Sequence, residues 1–133
     1  MNLLKYFVSR LFSRALNPVH TQKMAFEKIF KDLGAYKYEM DGFTFTYNKT
    51  VKKINWEDIT QINVFKTDRF TEDRIEMEII YGADILTTTE DIPGWFQFVI
   101  KLKEVFPTIP KDWDINIIKP PFAENYTTIY RKQ

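Results

Sequence analysis

Apolar side chains recur at every second residue from residue 36 onward. Tyr36, Tyr38 and Met40 alternate with Lys37 and Glu39; beyond Asp41-Gly42, the residues Phe43, Phe45 and Tyr47 alternate with Thr44 and Thr46. A period of two marks a strand with one buried face, and Asp-Gly between two such runs predicts a hairpin. A two-residue turn at Asp41-Gly42 sets Met40 opposite Phe43, Tyr38 opposite Phe45 and Tyr36 opposite Tyr47, three apolar pairs on one sheet face. Further strands are predicted over residues 51–55 and 59–66, with Trp56-Glu57-Asp58 turning the chain between them, and over residues 74–81 and 84–89 around Gly82-Ala83. Within 74–81, Ile75, Met77 and Ile79 face one way and Arg74, Glu76 and Glu78 the other.

The period then changes. Trp95, Phe98, Val99, Leu102 and Phe106 recur at helical spacing with Gln97, Lys101 and Glu104 opposite them, which predicts a helix capped by Asp91, starting near Pro93 and ended by Pro107. Its Trp95, Phe98 and Leu102 are expected to pack on the face carrying Phe43, Phe45, Ile62, Val64, Ile75, Met77 and Ile79. At the start of the chain Leu4, Phe7, Val8, Leu11 and Ala15 share one helical face, with Lys5, Arg10 and Arg14 off its centre. Asn17 and Pro18 open a second helix that Gly34 stops. Pro120-Pro121 excludes a continuous helix or central strand, so residues 115–130 are expected to form an extended arm anchored by Phe122, Tyr126 and Tyr130. The helical stripe does not account for Trp113.

These elements make one α+β domain of 133 residues: a helical region over 1–34, an antiparallel β meander forming a bent sheet over 35–89, a helix packed on it over 90–107, and the arm over 108–133. A hydrophobic fraction of 44% and an aromatic fraction of 17% suit a buried core. With no cysteine, disulfides, thiolate nucleophiles and cysteine metal sites are excluded, and a reducing, cytoplasmic compartment is expected. The net charge of +1 conceals an uneven distribution, since residues 1–31 carry a net +5. That basic amphipathic start is interrupted by Arg10 and Arg14, so it suits neither a secretory signal nor a bilayer span. It suits either a helix packed on its own domain or a membrane-surface helix, with Phe7, Leu11 and Phe12 in the interface and Lys5, Arg10 and Arg14 near anionic headgroups.

Candidate catalytic chemistry is sparse. Ser9, Ser13 and His20, the only serines and the only histidine, all lie in the helical start, away from any strand-to-helix elbow. Gly34, Gly42, Gly82 and Gly94 stand singly and form no phosphate loop. Glu76 and Glu78, two apart on a strand beside Arg74, read as a charge-balanced face and not a metal site. Residues 56–91 hold ten acids against Lys66, Arg69 and Arg74, a surface that repels nucleic acid and attracts a basic protein. No cofactor is implied. Glu72 and Asp73 could in principle serve acid–base chemistry as a carboxylate enzyme, but residues 67–73 read first as a charged loop, in which Phe70 is the anchor for a protein partner and Asp68, Arg69, Glu72 and Asp73 steer its approach.

The text "VKKINWEDITQINVFK", followed after two more strands by "EDIPGWFQFVIKLKEVF", resembles the bacterial pleckstrin-homology-like domains over about residues 43–106. That resemblance implies a bent sheet plugged by a helix, and binding without catalysis. The chain departs from the pattern in lacking a basic phosphoinositide pocket between its first strands and in adding the N-terminal helices and the Pro-Pro arm. Its size and acidity are also similar to those of bacterial immunity proteins. The expected function is a non-catalytic protein-binding module of the inhibitor or immunity type, docking an unidentified protein through an acidic surface. The alternative is a peripheral membrane module using the N-terminal helix.

Overall fold

The computed structural model describes residues 32–69, 72–118 and 125–133. The expected helices of residues 1–31 lie outside them. The fold is α+β and its sheets are antiparallel throughout. Strands β1 (Tyr36–Tyr38), β2 (Gly42–Tyr47) and β3 (Thr50–Asn55) form a three-stranded meander. After a 3-10 turn at Trp56–Asp58 come β4 (Ile59–Arg69), β5 (Glu72–Tyr81), β6 (Asp84–Thr89), helix α1 (Trp95–Val105), the short helix α2 (Trp113–Asn116) and β7 (Asn125–Arg131). The second sheet has the order β6-β5-β4-β7. One meander was expected. Two sheets form because the 3-10 turn, closed by Ile59 N–H donating to Trp56 O, redirects the chain where β3 would otherwise continue into β4.

The first hairpin differs in register from its expectation. Tyr36 pairs with Phe45 and Tyr38 with Phe43, and Glu39 N–H donates to Gly42 O at 2.8 Å, so the turn is Met40-Asp41. Met40 is fully exposed and Tyr47 lies on the surface, so neither joins an apolar pair. Gly42 serves close approach instead of the turn. A Cβ there would lie 2.0 Å from Ile54 O on the neighbouring strand. A second turn escaped the alternation altogether. Asn48 and Lys49, with φ of 47° and 67°, are left-handed and join β2 to β3 across the Tyr47–Thr50 pair. Asparagine suits this mirror-image turn, and its second position favours glycine. Lys49→Gly is therefore expected to raise stability by about 1 kcal/mol; a urea midpoint at or below that of the parent protein would show that Lys49 is unstrained.

Strands β4 and β5 outrun their expected ends. Their ladder continues through Thr67↔Arg74, Asp68↔Asp73 and Arg69↔Glu72, so residues 67–69 and 72–73 belong to paired strands and not to a loop. Polar composition suggested a loop, yet two long antiparallel strands keep adding backbone hydrogen bonds whatever their side chains. Helix α1 also starts differently. Gly94, at φ 89°, precedes it, and no side chain caps it. Asp91 instead has its carboxylate 3.8 Å from Arg74.

The core lies between the sheets and α1. Trp95, Phe98 and Leu102 are buried together with Phe43, Phe45, Ile62, Val64, Ile75, Met77 and Ile79, as expected. Phe98 stacks on Tyr36 at 4.2 Å, and the Tyr36 hydroxyl shares a hydrogen bond with Thr88, joining β1 to β6. Burial raises the Tyr36 and Tyr38 phenol pKa values and keeps both rings neutral. The arm is a correction. Residues 113–116 are helical, and residues 125–131 form a strand beside β4. Trp113, Ile117 and Ile129 enter the core, while Tyr126 is exposed, stacks on Phe65 at 5.8 Å and donates to Glu78 at 2.9 Å. Phe122 lies outside the described residues. Pro120-Pro121 does not prevent the strand because β7 begins beyond it, on an edge.

Candidate docking surface

Of the expected partner-binding residues, Phe70 lies outside the described residues, and Asp68, Arg69 and Glu72 are placed by their backbones at the hairpin end. Asp73 turns inward. It shares the phase of Ile75, Met77 and Ile79, and its carboxylate lies 3.4 Å from Lys66 Nζ. Lys66 shares the phase of Ile62 and Val64, is 1% exposed, and donates to Ile118 O at 3.1 Å. Asp73 is thus partly buried and shares a contact with a buried lysine, which leaves less of its carboxylate on the surface than a loop position would. Lys5, Phe7, Arg10, Leu11, Phe12 and Arg14, the expected membrane contacts, lie outside the described residues.

A second buried ion pair lies under α1. Asp114, 1% exposed, accepts from Lys103 at 3.0 Å, and Lys103 also donates to Lys111 O at 2.7 Å. Loss of hydration raises the Asp114 pKa, and the hydrogen bond from Lys103 opposes that rise. This pair staples the loop after α1 to the helix and offers nothing to a ligand.

One described surface that combines charge with accessible apolar side chains lies where the two sheets meet. Trp56 N–H donates to Asp41 O at 2.9 Å, which ties the β1–β2 turn to the 3-10 turn. Gly82 N–H donates to Asp58 O at 3.3 Å, and Lys132 Nζ donates to Glu57 O at 2.6 Å, so β5–β6 and the end of β7 hold the same turn from the other side. The Trp56 ring rests on Phe43 at 5.1 Å and Phe106 at 6.1 Å and is only partly buried. Above it opens a cleft of about 450 Å³ lined by Met40, Asp41, Asn55, Trp56, Glu57 and Asp58, with Met40 fully exposed at its lip. Among the described residues no three histidine, cysteine or acidic side chains converge to hold a metal ion.

Sequence reasoning treated "NWED" as a turn and placed Met40 inside. The available signal was the single aromatic between two polar runs at a chain reversal, beside an apolar residue in a turn. Comparison with protein-family models, with curated proteins and with solved structures finds no significant match to this chain. Among the described residues no helix is long and apolar enough to cross a membrane.

Proposed function

We propose that this chain is a non-catalytic, cytoplasmic protein-binding module of pleckstrin-homology-like architecture, which docks a basic partner through the acidic cleft at the junction of its sheets. The observation that carries this reading is Met40, an unbranched apolar side chain left entirely in solvent beside a half-covered tryptophan and three carboxylates. Flexible methionine and a supported indole offer contact area, and surrounding charges steer and orient the encounter. The architectural part of the proposal is supported by two antiparallel sheets closed over one amphipathic helix, and β7, which follows that helix, is its main departure. An inhibitor or immunity-type role fits a small module that brings charge and shape to a partner and leaves the chemistry to it.

The test uses a partner purified from the native host. Met40→Ala is expected to weaken its binding by about 1–2 kcal/mol, chiefly through faster dissociation. Asp58→Lys is expected to slow association and flatten its salt dependence. A partner that binds both variants like the parent protein docks elsewhere, and the cleft is then rejected.

A further inference from the structure

The chain turns back after α1 through local hydrogen bonds. Phe106 N–H donates to Leu102 O at 2.8 Å, Ile109 N–H to Phe106 O at 3.0 Å and Trp113 N–H to Pro110 O at 3.3 Å; α2 follows, with Asn116 N–H donating to Asp112 O and Ile117 N–H to Trp113 O, both at 2.9 Å. A helix of four residues cannot hold itself, so the place of α2 is set by what its side chains meet. Trp113 and Ile117 are buried in the core. Asp114 stands beside Trp113, is buried with it, and forms with Lys103 the ion pair that joins α2 to α1.

That contact serves one carboxylate oxygen of the two. Asp114 Oδ1 accepts from Lys103 Nζ at 3.0 Å, whereas Oδ2 is buried and has no hydrogen-bond partner among the described residues. An ionised carboxylate accepts through both oxygens, so this one is only partly compensated for the water it has lost. The ammonium is shared as well, since Lys103 also donates to Lys111 O at 2.7 Å. Among the described residues the charged side chains that act on Asp114 are Lys103, from α1, which favours the carboxylate, and Asp112, from the turn before α2, which opposes it; the backbone N–H of Asp114 itself also favours the carboxylate. Toward β4 and β7, α2 faces Val64, Thr127 and Ile129, none of which titrates. Burial outweighs Lys103, and the Asp114 pKa lies above the usual carboxylate value.

We infer that α2 docks on α1 with uptake of a proton on Asp114 Oδ2, so that acidification tightens this corner of the fold and alkalinity loosens it. A neutral carboxyl keeps Oδ1 as an acceptor for Lys103 and leaves no charge on the oxygen that lacks a partner. When α2 lifts, Asp114 regains water and titrates at its ordinary value, so the docked state binds the proton more tightly. The advantage is complete below the ordinary carboxylate pKa and is lost as pH rises through the docked-state value, beyond which docking is weaker and constant. An ion pair governed by Lys103 would behave in the opposite way and weaken in acid. Neither Lys103 nor Asp114 lines the acidic cleft, so this linkage and the docking surface fail independently.

Amide hydrogen exchange of the full chain, corrected for the intrinsic pH dependence of exchange, tests this between about pH 4 and about pH 8. The reporters are the Asn116 and Ile117 amides, which donate within α2, read relative to the amides of β5. Each unit of difference between the docked and open pKa is about tenfold in the opening equilibrium, and the relative protection is expected to fall at least about threefold as pH rises. Asp114→Asn, which cannot ionise, is expected to abolish the fall. Lys103→Met removes the donor that favours the charged form and is expected to move the fall to higher pH, whereas Asp112→Asn removes a like charge and is expected to move it to lower pH. Asp112 is exposed, so its variant leaves the core intact and tests the sign even if Asp114→Asn does not fold. Relative protection that is constant with pH, or that rises with it, overturns the inference. So do a fall that persists in the Asp114→Asn protein and shifts of the same sign in the Lys103→Met and Asp112→Asn proteins.

Discussion

Phe98→Ala is expected to destabilise the protein by about 3–5 kcal/mol and to lower its melting temperature by on the order of 10 °C or more. The side chain has no solvent exposure, stacks on Tyr36 at 4.2 Å and meets Phe43 at 4.9 Å with an interplanar angle of 57°. Truncation therefore leaves a void between α1 and two strands of the first sheet. It also frees the Tyr36 ring, whose hydroxyl bonds to Thr88 on the second sheet, so the loss extends to the joint between the sheets. Phe98→Leu, which keeps most of the volume, should recover a large part of the difference. Urea unfolding of both variants checks this. An unchanged midpoint for Phe98→Ala would mean that α1 does not close the core.

Lys66→Ala is expected to cost a similar amount, about 3–5 kcal/mol, for a different reason. Two opposite charges sit in phase with the inner faces of neighbouring strands, Lys66 buried and Asp73 partly so, and removing the ammonium takes away part of what offsets the carboxylate's lost hydration. The same amino group holds Ile118 O, so its removal also loosens the chain leading from α2 toward β7. Lys66→Met keeps the aliphatic stem, and Lys66→Met combined with Asp73→Leu removes both charges; the double variant should be more stable than Lys66→Met alone. Equal stability of the single and double variants would mean that the two charges are not coupled. Hydrogen exchange in the Lys66→Ala protein should show β7 amides opening before those of β5, because β7 is an edge strand reached through the segment that Lys66 anchors.

What the sequence by itself determined was the set of local elements and which side of each faces inward. Alternation placed β2, β5 and β6, and helical spacing marked Trp95, Phe98, Val99, Leu102 and Phe106 as one buried stripe, because burial on one face is recorded directly in the order of apolar and polar residues. The same alternation puts Lys66, at the end of the expected strand 59–66, and Asp73, in the expected loop 67–73, in phase with the core, and only the structure shows the two charges meeting across the strands. Hairpin register was decided by tertiary contact. Gly42 is needed because β3 passes against it, and a glycine used for close approach is indistinguishable in sequence from one used to turn. Long-range pairing decided the rest: β7 finds β4 across more than fifty residues of chain, Trp113 enters a core assembled by other elements, and Met40, Trp56 and Asp58 share one cleft because two backbone hydrogen bonds clamp their turns together. Periodicity reports what a residue faces within its own element, whereas a surface built by two separate turns exists only once the strands between them have paired.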